Sequence, residues 1–395
     1  MFPRNMGMIK RSQKFVNLPD YPLSDLADTK TNLIARGVEI IDLGAGDADL
    51  SPPIEVIQSL SEACRQVEMS RYSFQIGLPS FREEIANWMK NRFGTKLDPY
   101  REILPLLGSK EGIAKLPLAF MDPGEVAVVP DPGYQSYLGG VILAGGRPLL
   151  VPLLPEENFL IPLDGFQPDI SSQIRLLYLN YPNNPTTAVA PSEYLQKAVE
   201  FCQKTRSVLV HDHAYSEIAF DGYRPSSILE IEGAKDVSLE FHSFSKTYNM
   251  TGWRLGWVAG GADLISALTK VKTFMDTGPF KAIQAAGVTA LKIHEKWMPE
   301  NVAIFQSRRD VAVESFTKVG FSVTKPKATM YLWVPIPGKE GSISFAKRAL
   351  EQEGVIVLPG AGLGSGGEGF FRIALTVEDR LMRAAARRLG RLIDR

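Results

Sequence analysis

The chain has 395 residues, with 44 basic and 44 acidic side chains and an apolar fraction of 45%. That length allows one large domain and a smaller one, and zero net charge argues against a nucleic-acid or membrane-surface partner, leaving small molecules as the expected class. Cys64 and Cys202 are the only cysteines and form no C-x-x-C pair, which fits a reducing cytoplasm. No run of about 18 apolar residues marks a membrane span, and the opening MFPRNMGMIKRSQKF has no secretory core.

Residues 1–50 read as a proline-containing arm, a short helix over about 23–36 and the strand VEIIDLGAG. Its Gly44 and Gly46 either bring backbone close to a ligand or simply turn the chain. Two amphipathic helices follow, PPIEVIQSLSEACRQV and PSFREEIANWMKNRFG, the second closing on a glycine. RYSFQIG joins them and carries Tyr72, a reach into a neighbouring site or a packing residue. ILPLLGSKEGIAK reads as strand, turn and helix, and successive amides at Gly108-Ser109-Lys110 suit an anion. The G-x-x-x-x-G-K-[ST] form of a nucleotide P-loop is absent.

Apolar runs then alternate with helices: EVAVVP, RPLLVPLL, IRLLYLNYP, SVLVHD, VSLEFHSF and LGWVAGG. The pattern predicts an α/β fold, a mostly parallel sheet covered by helices, with ligands at the strand ends. Those ends carry Tyr134, Asn184, Asp212 and Tyr215. Asp212 can cap a helix or pair with a basic atom. His211 and His213 alternate with Asp212 along a strand, so the three cannot share a metal, and no metal site is expected.

The next stretch, HSFSKTYNMTGWRLG, is the richest in chemistry. Lys246 follows a buried strand, where a scarcity of water favours a neutral, imine-forming amine. Ser243 and Ser245 can donate to a phosphate that Arg254 grips bidentately. That combination suits pyridoxal 5′-phosphate. Beyond residue 262 come the helices DLISALTKVKTF and FKAIQAAGVTALKIHEKW, a long helix over about 299–319, and the strands GFSVT, TMYLWVP, VIVLPG and FFRIALT, which make a smaller α+β domain. GAGLGSGGEG contains G-x-G-x-x-G but precedes a strand, so a dinucleotide site is rejected and a mobile loop expected. Arg372, on an apolar strand, needs a carboxylate, either a substrate's or a structural ion pair's.

In order, GSKEG, DPGYQSY, NYPNNPT, HDHAYSE, SKTYNMTGWRLG and FRIAL resemble the class I and II aminotransferases of fold type I over essentially the whole chain. Within that family the chain is similar to the LL-diaminopimelate aminotransferase group. The resemblance implies a large cofactor domain over 48–285, a small domain from 1–47 and 286–395, and a homodimer with shared active sites. It implies catalytic roles for Lys246, Asp212 and Tyr215, and cofactor contacts from Ser109, Lys110, Tyr134, Asn184, Ser243, Arg254 and the partner's Tyr72. Gly44, Asn184, Arg372 and Tyr21 would hold the substrate. The implied reaction passes an amino group from an amino acid to a 2-oxo acid, with lysine biosynthesis as one setting. Other donors (aspartate, aromatic, methionine, N-succinyl-diaminopimelate) and a carbon–sulfur β-lyase stay open. A DNA-binding relative would need a helix-turn-helix ahead of the core, where fewer than about 50 residues stand. The chain departs from the family pattern at Ala48, Gln75, Ile76, Lys115 and Thr187.

Overall fold

The computed structural model describes residues 9–19 and 24–393, with 24–28 as backbone alone. Tyr21 lies outside the described residues. In chain order the strands are β1 (Ile41–Asp42), β2 (Ile103–Leu106), β3 (Val126–Asp131), β4 (Arg147–Pro152), β5 (Ile174–Leu179), β6 (Val208–Asp212), β7 (Ser238–Ser243), β8 (Gly256–Gly260), β9 (Tyr331–Pro335), β10 (Val355–Ile356), β11 (Leu358–Pro359) and β12 (Phe370–Ala374).

Seven of them form one sheet in the order β2-β8-β7-β6-β5-β3-β4. Only β8 runs against its neighbours; the other pairings are parallel. Continuous apolar runs make sense there, because both faces are covered. Val126 and Val128 of β3 enter one core cluster, and the intervening Ala127 and Val129 enter another on the opposite face. Parallel β3, β5, β6 and β7 all end on one edge, so the polar residues after each strand converge.

A third core gathers around β9, β12 and helix His294–Lys318, and it takes in Tyr215, Ile218 and Phe220 from the segment that follows β6. That segment is therefore fixed on both sides.

Four local expectations change. GFSVT forms no strand, VIVLPG splits into the two-residue β10 and β11, and the long helix starts at His294 with Pro299 inside it. The break falls at Ile293 because His294 is bonded on both ring nitrogens, to Tyr248 at 2.8 Å and to Glu217 at 3.1 Å, which anchors the helix start. The glycine run expected to be mobile is instead two 3-10 turns, Gly360–Leu363 and Ser365–Gly367, pinned to Asp131 by the Ser365 hydroxyl (2.7 Å) and the Gly366 amide (2.9 Å).

Candidate active site

At the strand-end edge lies a cleft of about 550 Å3 lined by Ser109, Lys110, Tyr134, Asn184, Asp212, Tyr215, Ser243, Lys246, Arg254 and Arg372. Ten of the residues singled out in the sequence thus face one space. Two do not: Tyr72 is 70% exposed and packs on Phe74 outside the cleft, and Gly44 sits behind the wall; Tyr21 lies outside the described residues. The Gly44 amide donates to Asp42 at 3.0 Å and its carbonyl accepts from Arg372 at 2.9 Å, so the backbone bordering the cleft belongs to Gly46 and Asp47.

At one end of the cleft, β2 turns through Gly108, at φ 78°, into helix Ser109–Lys115. A side chain at Gly108 would collide with the Arg254 guanidinium, and one at Gly256 would come within 2.9 Å of the Ser109 amide. Arg254 is itself left-handed at φ 56°, and its Nη1 donates to Ser245 Oγ at 3.3 Å. Amides, two serine hydroxyls and a guanidinium therefore meet around a space kept open by missing side chains, the donor set for a phosphate.

On the sheet side, Asp212 is buried. Its Oδ2 accepts from the Tyr137 hydroxyl at 2.7 Å, and its Oδ1 has no partner among the described residues. Burial raises its pKa, and Tyr137 and His211 only partly oppose this. The carboxylate awaits a buried N–H donor. Across the cleft, Lys246 follows fully buried β7 and donates to the Gly46 carbonyl.

The third corner holds Arg372, 6% exposed. It donates to Asn184 Oδ1 at 2.8 Å and stacks 4.0 Å from the Tyr331 ring, its Nε is unpartnered, and no carboxylate pairs with it among the described residues. The structural ion pair allowed by the sequence is thus not made here. Asn184 also reaches the Tyr215 hydroxyl at 3.4 Å, which lies 3.1 Å from that of Tyr331. Burial would raise the Tyr331 pKa, but Arg372 and Lys246 bring it below the ordinary phenol value.

Tyr137 and Tyr331 were missed in the sequence. Tyr137 lies one helical turn beyond Tyr134 in DPGYQSY, a spacing that could have found it; Tyr331 sits within the apolar run YLWVP, where nothing separates it from a core residue. The histidine argument also needs correction. His211, His213 and Glu240 have ligand atoms within 4.8 Å of one another, all buried, because Glu240 comes from the adjacent β7, a neighbour that alternation along a single strand cannot supply. Both Glu240 oxygens are engaged, by Ser227 and His242 at 2.8 Å, the Ile228 amide at 2.7 Å and His211 at 3.0 Å.

A family model described as aminotransferase class I and II matches residues 38–389. The chain belongs to that family. It is 44% identical to an LL-diaminopimelate aminotransferase of Moorella thermoacetica over 98% of this chain and 99% of that one. Among solved structures, substrate-bound BacF from Bacillus subtilis superposes with TM-score 0.94 at 32% identity, covering 98% of each chain. A probable N-succinyldiaminopimelate aminotransferase from Thermus thermophilus gives 0.89 at 35% identity, over 94% of this chain and 99% of that one. The protein is a pyridoxal-phosphate-dependent aminotransferase of fold type I acting on an amino acid and a 2-oxo acid. The site fits that cofactor: the open Asp212 oxygen suits a pyridine N–H, and the glycine-cleared cradle suits a phosphate.

Proposed function

We propose that this aminotransferase takes the amino group of LL-diaminopimelate and passes it to 2-oxoglutarate, as an enzyme of lysine biosynthesis in the cytoplasm. The observation that carries the substrate-binding reading is Arg372, a buried guanidinium with no carboxylate partner among the described residues, in the same cleft as Lys246. Its free Nε and its held Nη atoms leave one edge for the α-carboxylate of an amino acid. Asn184 keeps that fork in register, and the Tyr331 ring fixes its plane.

Ser109, the Lys110 amide, Ser243, Ser245 and Arg254 hold the phosphate, Tyr134 covers the ring, and Tyr215 with Asn184 holds the ring oxygen. When bound, the cofactor's protonated pyridine ring draws off the electron pair left when the substrate α-carbon loses its proton. Asp212 Oδ1 keeps that ring nitrogen protonated, and Tyr137 keeps Asp212 aimed. Lys246 Nζ anchors the cofactor between turnovers and moves the proton at the substrate α-carbon.

We further propose a division at 48–285 against 1–47 with 286–395, and a homodimer. Tyr72, Phe74 and Ile76 are 70%, 61% and 62% exposed, and the segment is hydrogen-bonded to Asp276 and Thr277, beside Phe274 at 86%. An apolar strip of this kind favours a partner surface, with Tyr72 delivered to the partner's cleft. The Gln75 amide nitrogen is engaged by the Asp276 carbonyl at 2.7 Å, and its Oε1 has no partner among the described residues.

A panel of donors (LL-diaminopimelate, glutamate, aspartate, methionine and tyrosine) assayed with 2-oxoglutarate tests the substrate. The highest kcat/KM is expected for LL-diaminopimelate; turnover of another donor with none of it removes the substrate assignment.

A further inference from the structure

A second cavity, of about 710 Å3, lies between helix Pro79–Phe93, helix His294–Lys318 and the 216–224 segment. It shares no lining residue with the active-site cleft. Two residues of its wall each carry a buried polar atom with no hydrogen-bond partner among the described residues, the donor Trp88 Nε1 and the acceptor Glu217 Oε1. Trp88 is 5% exposed and the Glu217 side chain 6%, so each orphan is deep enough to carry a desolvation penalty that a ligand could relieve.

Glu217 is an anion despite its burial. Burial would raise its pKa, but His294 and Arg92, each 3.1 Å from its other oxygen, hold it at about 2. Its open oxygen therefore calls for a cationic N–H. On the same wall the exposed Arg224 and Lys292 make no ion pair among the described residues, and with the Trp88 N–H they call for an anion. A dicarboxylate would meet Glu84, Glu217 and Glu295, and a polyamine would leave the cations unmatched. One small molecule carrying both charges satisfies both needs.

We propose that this cavity is a second, non-catalytic site that binds an α-amino acid as its zwitterion, the ammonium on Glu217 Oε1 and the carboxylate among Trp88, Arg224 and Lys292. The site's wall is joined to the catalytic machinery: His294 bonds Tyr248, two residues beyond Lys246.

The test is calorimetric titration of the cofactor-loaded protein with N,N-dimethylglycine, a zwitterion that keeps one N–H but cannot condense with an aldehyde. Binding is expected to weaken at least tenfold in the double variant Arg224→Ala, Lys292→Ala and in Glu217→Gln, as loss of a charge-assisted hydrogen bond requires. It should survive Arg372→Ala, and trimethylglycine, with no N–H, should bind at least tenfold more weakly. The surface pair keeps the test decisive should Glu217→Gln fail to fold. No binding, binding indifferent to the Arg224 and Lys292 changes, loss on Arg372→Ala, or equal binding of the two methylated glycines would each overturn the site.

Discussion

Two buried acids stand on adjacent strands, Asp212 on β6 and Glu240 on β7, and the protein treats them oppositely. Glu240 receives donors from Ser227, Ile228, His211 and His242; although burial would raise it, the histidines hold it well below the ordinary carboxylate range. Asp212 has one donor, one empty oxygen and a raised pKa. Two buried arginines repeat the contrast. Arg308 is gripped by Asp49 through two bonds of 2.7 and 2.8 Å, and Arg372 has no carboxylate at all among the described residues. Of these four groups, the two that the fold satisfies are structural and the two it leaves open face the cleft, where a ligand completes them.

The sharpest way to break the first contrast is to remove each acid. Asp212→Ala should lower kcat by about a thousandfold, roughly 4 kcal/mol of barrier, in a protein that still folds, whereas Glu240→Ala should cost about 3 kcal/mol of stability by stranding its donors. Chemical denaturation beside steady-state rates separates the two; near-normal turnover in Asp212→Ala would reject its role.

The arginine pair comes next. Arg372→Ala should cut kcat/KM for the amino donor by about a hundredfold or more, near 3 kcal/mol, with the unfolding midpoint little changed. Arg308→Ala should show the reverse, since it strands Asp49. If the two variants behaved alike, an unpaired buried charge would not distinguish the substrate clamp.

Glu217 sharpens the point with pH. Its folded pKa of about 2 lies below the ordinary 4.5, so the unfolded chain binds the proton first. Its stabilisation is complete above 4.5 and is lost as pH falls through about 2, on the order of 3 kcal/mol in all. Thermal melts across that window should fall less steeply in Glu217→Gln than in the parent.

The smallest effect concerns a departure from the family pattern. Thr187 sits at φ 63°, a left-handed conformation poorly suited to a β-branched residue. Thr187→Gly should raise stability by about 1 kcal/mol, the strain relieved exceeding the added chain entropy. An unchanged or lower midpoint would show that no strain is held there.

How much of this could be read from the sequence follows from the range of the interactions. The doubly covered sheet was legible because its strands are unbroken apolar runs, and the cleft because each parallel strand delivers its next polar residue to one edge. Glu240 was not, since its place beside His211 depends on which strands become neighbours. The helix start at His294 was hidden for a similar reason. Pro299 is the louder local signal, but the bonds to Tyr248 and Glu217 override it. Nor could Arg372 be decided from its position alone, because an ion pair and an empty fork look alike until the facing residues are known.

The most direct measurement is the unfolding midpoint of the cofactor-free protein at neutral pH for Asp212→Asn beside Glu240→Gln. A raised folded pKa means that the ionised Asp212 opposes folding there, so Asp212→Asn should unfold at a higher midpoint than the parent and Glu240→Gln at a lower one. An Asp212→Asn protein less stable than the parent would contradict the claim that this acid is held open for a ligand.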